Sequence, residues 1–152
     1  MTSPNPSPAP TNLVADQPLE VNYEVLLTAT RDLAADQPVL MLNLLRYREQ
    51  ADYGPQSTKA PRSGREVYQE YIQAFLAYHS PQEAKVFFQG PALAALVAPR
   101  GERWDEIALV EYRNLAVFRR WVANPIYAAE VAPIRRAALA DWRLLMTLPP
   151  VG

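Results

Sequence analysis

VLMLNLLRYR, residues 39–48, is the stretch that decides the fold. It is too short and too apolar for anything but a buried β-strand. Side chains alternate between the two faces of a strand, so both faces of this one are apolar. The face that we expect to pack against helices carries Leu40, Leu42 and Leu44. The other face carries Met41, Asn43, Leu45 and Tyr47.

The segments on either side of this strand have alternating helical and strand-like patterns. An additional helix is predicted over residues 19–35, before the strand, and a helix over 65–79 follows a polar loop. Residues 85–90 read as a second strand, which we expect to continue through 92–99 after a kink at Gly90. The remaining predicted elements are a third strand at 104–112, helical residues at 115–125 and 126–140, and a fourth strand at 141–148.

This order predicts a ferredoxin-like α+β domain. After the extra N-terminal helix, the elements read βαββαβ, and right-handed crossovers then give a four-stranded antiparallel sheet with both helices on one face. The first strand lies between the third and the fourth. Residues 19–148 form this single domain, whereas residues 1–18, with five prolines among small polar residues, are predicted to be a disordered tail.

The composition excludes several functional classes. The chain has no cysteine and one histidine, His79, which excludes disulfides, thiolate nucleophiles and iron–sulfur clusters and leaves no metal site to predict. A net charge of −1 gives no reason to expect nucleic acid. No GxGxxG motif indicates a nicotinamide or flavin, so no cofactor is predicted. Without a membrane span or a secretory signal, a cytoplasmic protein is expected.

The two apolar faces of the first strand predict a homodimer. Helices cover one face of the sheet, and an apolar face of that size is not left to water. A second copy packing sheet to sheet uses the same surface twice. The alternative is that the additional helix at 19–35 covers this face within one chain.

Polar residues inside the central strands are the candidate site. Asn43 is an amide in a buried strand, so its polar atoms need partners from protein, ligand or water. If the faces of the strands coincide, a carboxylate and a guanidinium meet it between the sheet and its cover. Glu111 or Asp105 is the candidate general base, and the candidate ligand-binding residues are Asn43, Arg46, Tyr47, Trp104 and Arg143. The alternative is an ion pair of Glu111 with Arg143 that fixes strand register.

The quoted strand also carries a family resemblance. Together with YQEYIQAFLAY, FFQGPALAALVAPRGERWDEIALVEY and ADWRLL, it resembles the bacterial domain-of-unknown-function family 1330, of the dimeric α/β-barrel superfamily, over residues 36–147. The resemblance implies the ferredoxin-like fold and the dimer. It implies no catalytic residues, because the family has no settled reaction.

Two functions of different classes follow. The first is a small-molecule enzyme or binder with a pocket between the sheet and the dimer partner, with cofactor-independent oxygenase or isomerase chemistry as one form of it. The second is a non-catalytic ligand-sensing or interaction protein. A cavity of about 300 Å³ or more at the polar residues favours the first. A third hypothesis is that His79 binds haem.

Overall fold

The structure, a computed structural model, describes residues 19–150, so the predicted tail at 1–18 lies outside the described residues. The strands are β1 (Val39–Tyr47), β2 (Ala84–Pro91), β3 (Glu106–Tyr112) and β4 (Leu139–Thr147). The helices are α1 (Tyr23–Ala29), α2 (Gly64–Tyr78), α3 (Leu115–Ala123) and α4 (Ala132–Ala138), and a π-helical turn, Tyr127–Val131, leads directly into α4. Within residues 19–150, no helix is long and apolar enough to cross a membrane.

The four strands form one antiparallel sheet in the order β2-β3-β1-β4. This mixed α+β arrangement is consistent with a ferredoxin-like fold, and β1 lies between β3 and β4 as predicted. Asn43 is opposite Ala108 of β3 and Leu144 of β4. The register therefore places Asn43 near the centre of the sheet.

The predicted assignment of the faces of β1 is wrong. Val39, Met41 and Leu45 are almost fully buried and pack with residues of α2 and α3, so the odd-numbered residues of β1 face the helices. Leu40, Leu42 and Leu44 face the opposite side, which we call the open face. Both sets are apolar, so period two alone did not identify the helix-packed face.

Helix α1 packs on the helix side of the sheet. Its buried residue Leu26 belongs to the core cluster that contains Met41 and Phe118, and the Tyr23 hydroxyl donates to the Val122 carbonyl at 3.1 Å. The helix is shorter than the predicted 19–35, because the Asn22 side chain caps its start. Within the described residues, α1 therefore does not cover the open face, and the alternative of coverage within one chain is wrong.

The open face and the chain after β2 expose apolar side chains. β2 ends at Pro91, so the predicted continuation of this strand through 92–99 is wrong. Residues 92–105 form a connection instead, in which Leu93 and Leu96 are 91% exposed and Val97 is 98% exposed. The apolar residues of the open face include Leu42, Leu44, Phe88, Ile107, Leu109 and Leu145.

Candidate functional site

A small cavity lies between the sheet and the helices. Its volume is about 50 Å³. Polar and aromatic side chains contribute much of its wall, namely Asn43, Tyr68, Tyr71, Trp121, Tyr127 and Trp142. Hydroxyl, amide and indole groups in an otherwise apolar core are unusual, because each needs a partner.

Asn43 faces this cavity and has protein partners. Its Oδ1 accepts a hydrogen bond from Trp142 Nε1 at 3.0 Å. Its Nδ2 lies 3.4 Å from the carbonyl oxygens of Met41 and Ala108, at the outer limit of a hydrogen bond. The amide therefore fixes Trp142 in the cavity wall, and its weakly bonded Nδ2 is the part available to a ligand.

Arg135 is the largest charged group behind the cavity wall. It is 1% exposed, although adjacent arginines such as Arg135 and Arg136 usually form a solvated face. Its guanidinium donates to the Tyr127 hydroxyl, to the Leu19 carbonyl at 2.7 Å and to Glu20 Oε2 at 3.1 Å. It also lies 4.6 Å from the ring centre of Trp142, a cation–π contact. Within residues 19–150 its Nε has no hydrogen-bond partner.

The protonation states around Arg135 follow from burial and neighbours. Burial lowers the pKa of Arg135, but Tyr127, Tyr71 and Glu20 outweigh this, so the net shift of that pKa is upward. Burial is also the main cause that raises the pKa of Tyr127. The Tyr71 and Tyr127 hydroxyl oxygens are 3.4 Å apart. The site thus holds a permanent cation beside neutral phenols.

A second polar cluster, formed by Tyr47, Glu106 and Gln89, adjoins the cavity. The Tyr47 hydroxyl and Gln89 Nε2 both donate to the Glu106 carboxylate, and Gln89 lines the cavity. Burial, then the hydrogen bond to Glu106, raises the pKa of Tyr47. Sequence reasoning included Tyr47 but missed Glu106. The signal that could have identified Glu106 is the alternation of β3, because Glu106 shares a face with Ala108, the residue opposite Asn43.

Asp105 has a structural role at the end of the sheet. Its Oδ2 accepts the main-chain N–H of Tyr47 at 2.8 Å, and its own N–H donates to the Leu45 carbonyl at 2.8 Å. These bonds extend the β1–β3 ladder beyond the last paired residues. The predicted general base is therefore engaged by the backbone, outside the cavity wall.

The other predicted site residues belong to the open face. Glu111 lies 3.9 Å from Lys85. Arg143 pairs with Asp141 at 2.6 Å, and its guanidinium lies 5.3 Å from the ring centre of Trp104. Arg46 is opposite Asp141 in the register.

The predicted convergence of Asn43, Glu111 and Arg143 is therefore wrong, because the sheet lies between Asn43 and the other two. Glu111 and Arg143 pair with Leu40 and Leu44, which are four residues apart on β1. They do not form the cross-strand pair that would fix register.

A larger groove adjoins the cavity on the side of α1. Its volume is about 470 Å³. It shares with the cavity five wall residues, namely Val21, Met41, Phe118, Trp142 and Leu144. The residues just before α1, Leu19 to Asn22, are called the strap; Val21 of the strap lines both spaces, and Glu20 and Asn22 line the groove.

His79 does not offer a ligand position. Its side chain is 7% exposed, Nδ1 lies 3.0 Å from the Phe75 carbonyl, and aromatic rings, among them Trp121, surround the imidazole. Desolvation lowers its pKa, and His79 is the C-cap of α2, whose main-chain N–H also donates to the Phe75 carbonyl. An enclosed imidazole leaves no room for a porphyrin beside it. In the part of the chain that the structure describes, no three His, Asp or Glu side chains are placed to hold a metal ion.

Comparison with solved structures gives, among its matches, two crystal structures of matching size, both of the protein RPA0582. The chain is similar to RPA0582. It has a TM-score of 0.75 and 29% identity to the crystal structure of methylated RPA0582 protein, over 89% of this chain and 96% of that one. The other is RPA0582, a protein of unknown function from Rhodopseudomonas palustris, with a TM-score of 0.74 and 29% identity over 90% and 99%. No protein-family model and no curated protein matches the sequence. The similarity to RPA0582 therefore supports the fold. It indicates no activity, because RPA0582 is a protein of unknown function.

Proposed function

We propose that this protein binds a small molecule between its sheet and its own helices. The observation that carries the proposal is the cavity wall, which combines the Asn43 amide and the Tyr71 and Tyr127 hydroxyls with aromatic rings in an apolar core. Small-molecule sites typically combine an apolar lining with a few convergent polar groups. This location differs from the pocket expected between the sheet and a dimer partner.

The volumes support binding that is coupled to a movement of the strap. A cavity of about 50 Å³ is small compared with the roughly 150 Å³ that accommodates a benzene-sized ligand. The adjoining groove of about 470 Å³ supplies the missing space. Val21 belongs to both walls, so an outward movement of this side chain joins the two spaces.

If the protein is an enzyme, Glu106 is the better candidate for the general base. Its carboxylate is connected to the cavity wall through Gln89, whereas Glu111 faces away and Asp105 is held by main-chain groups. A carboxylate beside a bound ligand suits isomerase or cofactor-independent oxygenase chemistry. Binding is the function that the geometry supports best, and catalysis would be built on it.

We also propose that the protein is a homodimer formed through the open face. On this face Leu145 is exposed and Leu42 and Leu109 are half-buried within residues 19–150, and the side chains of Leu93 and Val97 project into solvent. A two-fold interface would bury both surfaces at once. The resemblance to family 1330 of the dimeric α/β-barrel superfamily supports this arrangement, and membership of that family stays a prediction.

Single-ring probes test the binding proposal. Of the three tryptophans, Trp121 and Trp142 line the cavity, and Trp104 is the third. A Trp104→Phe background therefore reports on the cavity alone. We expect toluene, benzamide or benzoate at millimolar concentration to change its fluorescence in a saturable way.

Two substitutions to isoleucine make this test specific. Ala108→Ile fills the cavity and is expected to abolish the saturable signal. Ala116→Ile makes the same change on an exposed position of α3 and is expected to leave the signal intact. If no probe gives saturable binding that Ala108→Ile removes, the proposal is wrong and the non-catalytic interaction protein is the better reading.

A further inference from the structure

The Arg135 guanidinium needs an anion, and within residues 19–150 Glu20 is the carboxylate that contacts it. A buried cation left without its partner is strongly unfavourable, so this position will be occupied by a negative group in any stable state. The Glu20 carboxylate also contacts Arg136 at 2.8 Å, and its side chain is 56% exposed. The anion position is therefore open to solvent, although the cation behind it is buried.

The strap that carries Glu20 has few attachments. Leu19 and Glu20 accept hydrogen bonds from Arg135 and Arg136, and Asn22 at the end of the strap caps α1 by accepting from the Val25 N–H. Leu19, Glu20 and Val21 belong to no helix or strand. Leu19 and Val21 are half-buried and pack against the core clusters, so opening the strap costs these contacts; without secondary structure it still opens at lower free energy than the helices and strands around it.

The strap also closes the cavity. Val21 contributes to the walls of the cavity and of the groove, and it is next to Glu20 in the chain. Release of Glu20 from Arg135 would therefore free Val21, one of the five residues that the two walls share. The anion position and the closed cavity are controlled by the same segment.

We propose that the Glu20 carboxylate occupies the position of a ligand carboxylate, and that the protein binds small carboxylic acids with a single apolar ring. The ligand carboxylate replaces Glu20 on Arg135, the strap moves aside, and the ring enters the joined space beside Trp142 and Tyr127. This inference rests on the proposed binding function and adds the class of ligand to it.

The chemistry of the site matches this class. The planar guanidinium of arginine binds carboxylates through two parallel N–H groups, a geometry that a neutral amide does not reproduce. The wall around Arg135 supplies neutral hydroxyls and the Trp142 ring, which suit a flat apolar body. Glu20 then acts as a tethered competitor, so that its removal raises the affinity for an external carboxylate.

The test compares benzoate with benzamide, which has the same ring without the charge. In the Trp104→Phe background we expect tighter binding of benzoate than of benzamide. Glu20→Gln keeps the shape of the side chain and removes its charge; because it leaves the buried Arg135 without its carboxylate, a thermal melt first establishes that the variant is folded. We expect it to raise the affinity for benzoate about tenfold and to raise the ratio of benzoate to benzamide affinity. The control Arg136→Gln, which removes the exposed arginine, should change that ratio less than twofold.

The outcomes separate this inference from the proposed function. If both probes bind with equal affinity and Glu20→Gln leaves their ratio unchanged, the carboxylate inference is wrong while cavity binding stands. If neither probe binds to the wild type or to the Glu20→Gln variant, the carboxylate inference is wrong, and the proposed function is wrong with it only if toluene does not bind either. Should Arg136→Gln abolish the preference for benzoate, the anion is held at the surface and the role assigned to Arg135 is wrong.

Discussion

The Trp142 indole donates its hydrogen bond to the Asn43 amide across the β1–β4 ladder, at 3.0 Å. The two residues are diagonal neighbours, since Trp142 is opposite Leu45 and Asn43 is opposite Leu144. This one bond gives a partner both to Oδ1 of the half-buried Asn43 and to Nε1 of Trp142, which is 9% exposed. The polar residue that stood out in the sequence is therefore paired with a second side chain that the cavity also uses.

Replacement of Asn43 is expected to destabilise the protein through Trp142. In Asn43→Leu the indole N–H loses its acceptor, and we expect the free energy of unfolding to fall by about 1 to 3 kcal/mol. In a Trp142→Phe background the indole N–H is already absent. There Asn43→Leu should lower the free energy of unfolding by less than it does in the wild type. Denaturant melts of the four proteins measure the coupling. Purely additive effects would contradict the role given to this bond.

Gly64 is expected to tolerate no side chain. It begins α2 against the backbone where β1 ends and β4 begins, and its N–H donates to the Arg48 carbonyl at 3.0 Å. A Cβ atom there would lie 2.5 Å from the Arg48 oxygen and closer still to the Ala138 oxygen. We expect Gly64→Ala to lower the free energy of unfolding by about 1 to 3 kcal/mol or more.

Gly101 provides the contrast for this substitution. No atom lies within 4 Å of a Cβ placed there, but the φ angle of 84° is left-handed. Gly101→Ala should therefore lower the free energy of unfolding only by the torsional cost of about 1 to 2 kcal/mol. Equal melting temperatures of Gly64→Ala and wild type would show that the α2 backbone moves freely away from β1 and β4.

Acid is expected to destabilise the protein through His79. Burial lowers the pKa of His79 below its ordinary value of 6.5, so the unfolded chain binds this proton more readily than the folded one. The stabilisation is complete above pH 6.5 and is lost as the pH falls through that value, with a slope of at most about 1.4 kcal/mol per pH unit. His79 is the one histidine of the chain, so urea melts between pH 7 and 5.5 isolate it. His79→Gln should flatten this slope, and an unchanged slope would assign it to other groups.

A charge on the open face is expected to dissociate the dimer. Leu145 on this face is 56% exposed within one chain, and Leu76 on α2 is similarly exposed at 52%. Leu145→Arg places a guanidinium in the proposed interface, whereas Leu76→Arg makes the same change on a helix. Light scattering should give a monomer mass for the first and a dimer mass for the second. If light scattering gives a monomer mass for the wild type at micromolar concentration, the dimer proposal is wrong.

The order of the elements was predictable from the sequence because each has a clear period. The apolar run of β1 and the helical spacing of α2 are local signals, and the βαββαβ order and the antiparallel sheet are confirmed. The second strand was extended too far because the residues after Pro91 are apolar, although Leu93 and Val97 are exposed. Apolar composition indicates burial, and within residues 19–150 nothing buries these side chains.

The site was predicted less well because face and depth depend on tertiary packing. Asn43 and Tyr47 were identified, yet they lie on the opposite face from Glu111 and Arg143, since a strand that is apolar on both faces does not reveal its helix side. Arg135 was missed because paired arginines suggest solvent. The available signal was its position three residues after Ala132 and three before Ala138, both buried.

The π-helical turn before α4 has a consequence for the alignment of related sequences. Tyr127 and Arg135 are eight residues apart, which on a regular α-helix would leave them about 80° out of phase. The wider turn over Tyr127–Val131 absorbs one residue, so both side chains reach the same buried contact. The turn therefore accommodates one residue more than a regular α-helix would hold between the two side chains. A homologue without that residue should have a continuous α-helix and retain the pair at a spacing of seven, and an aligner should place its gap between the tyrosine and the arginine.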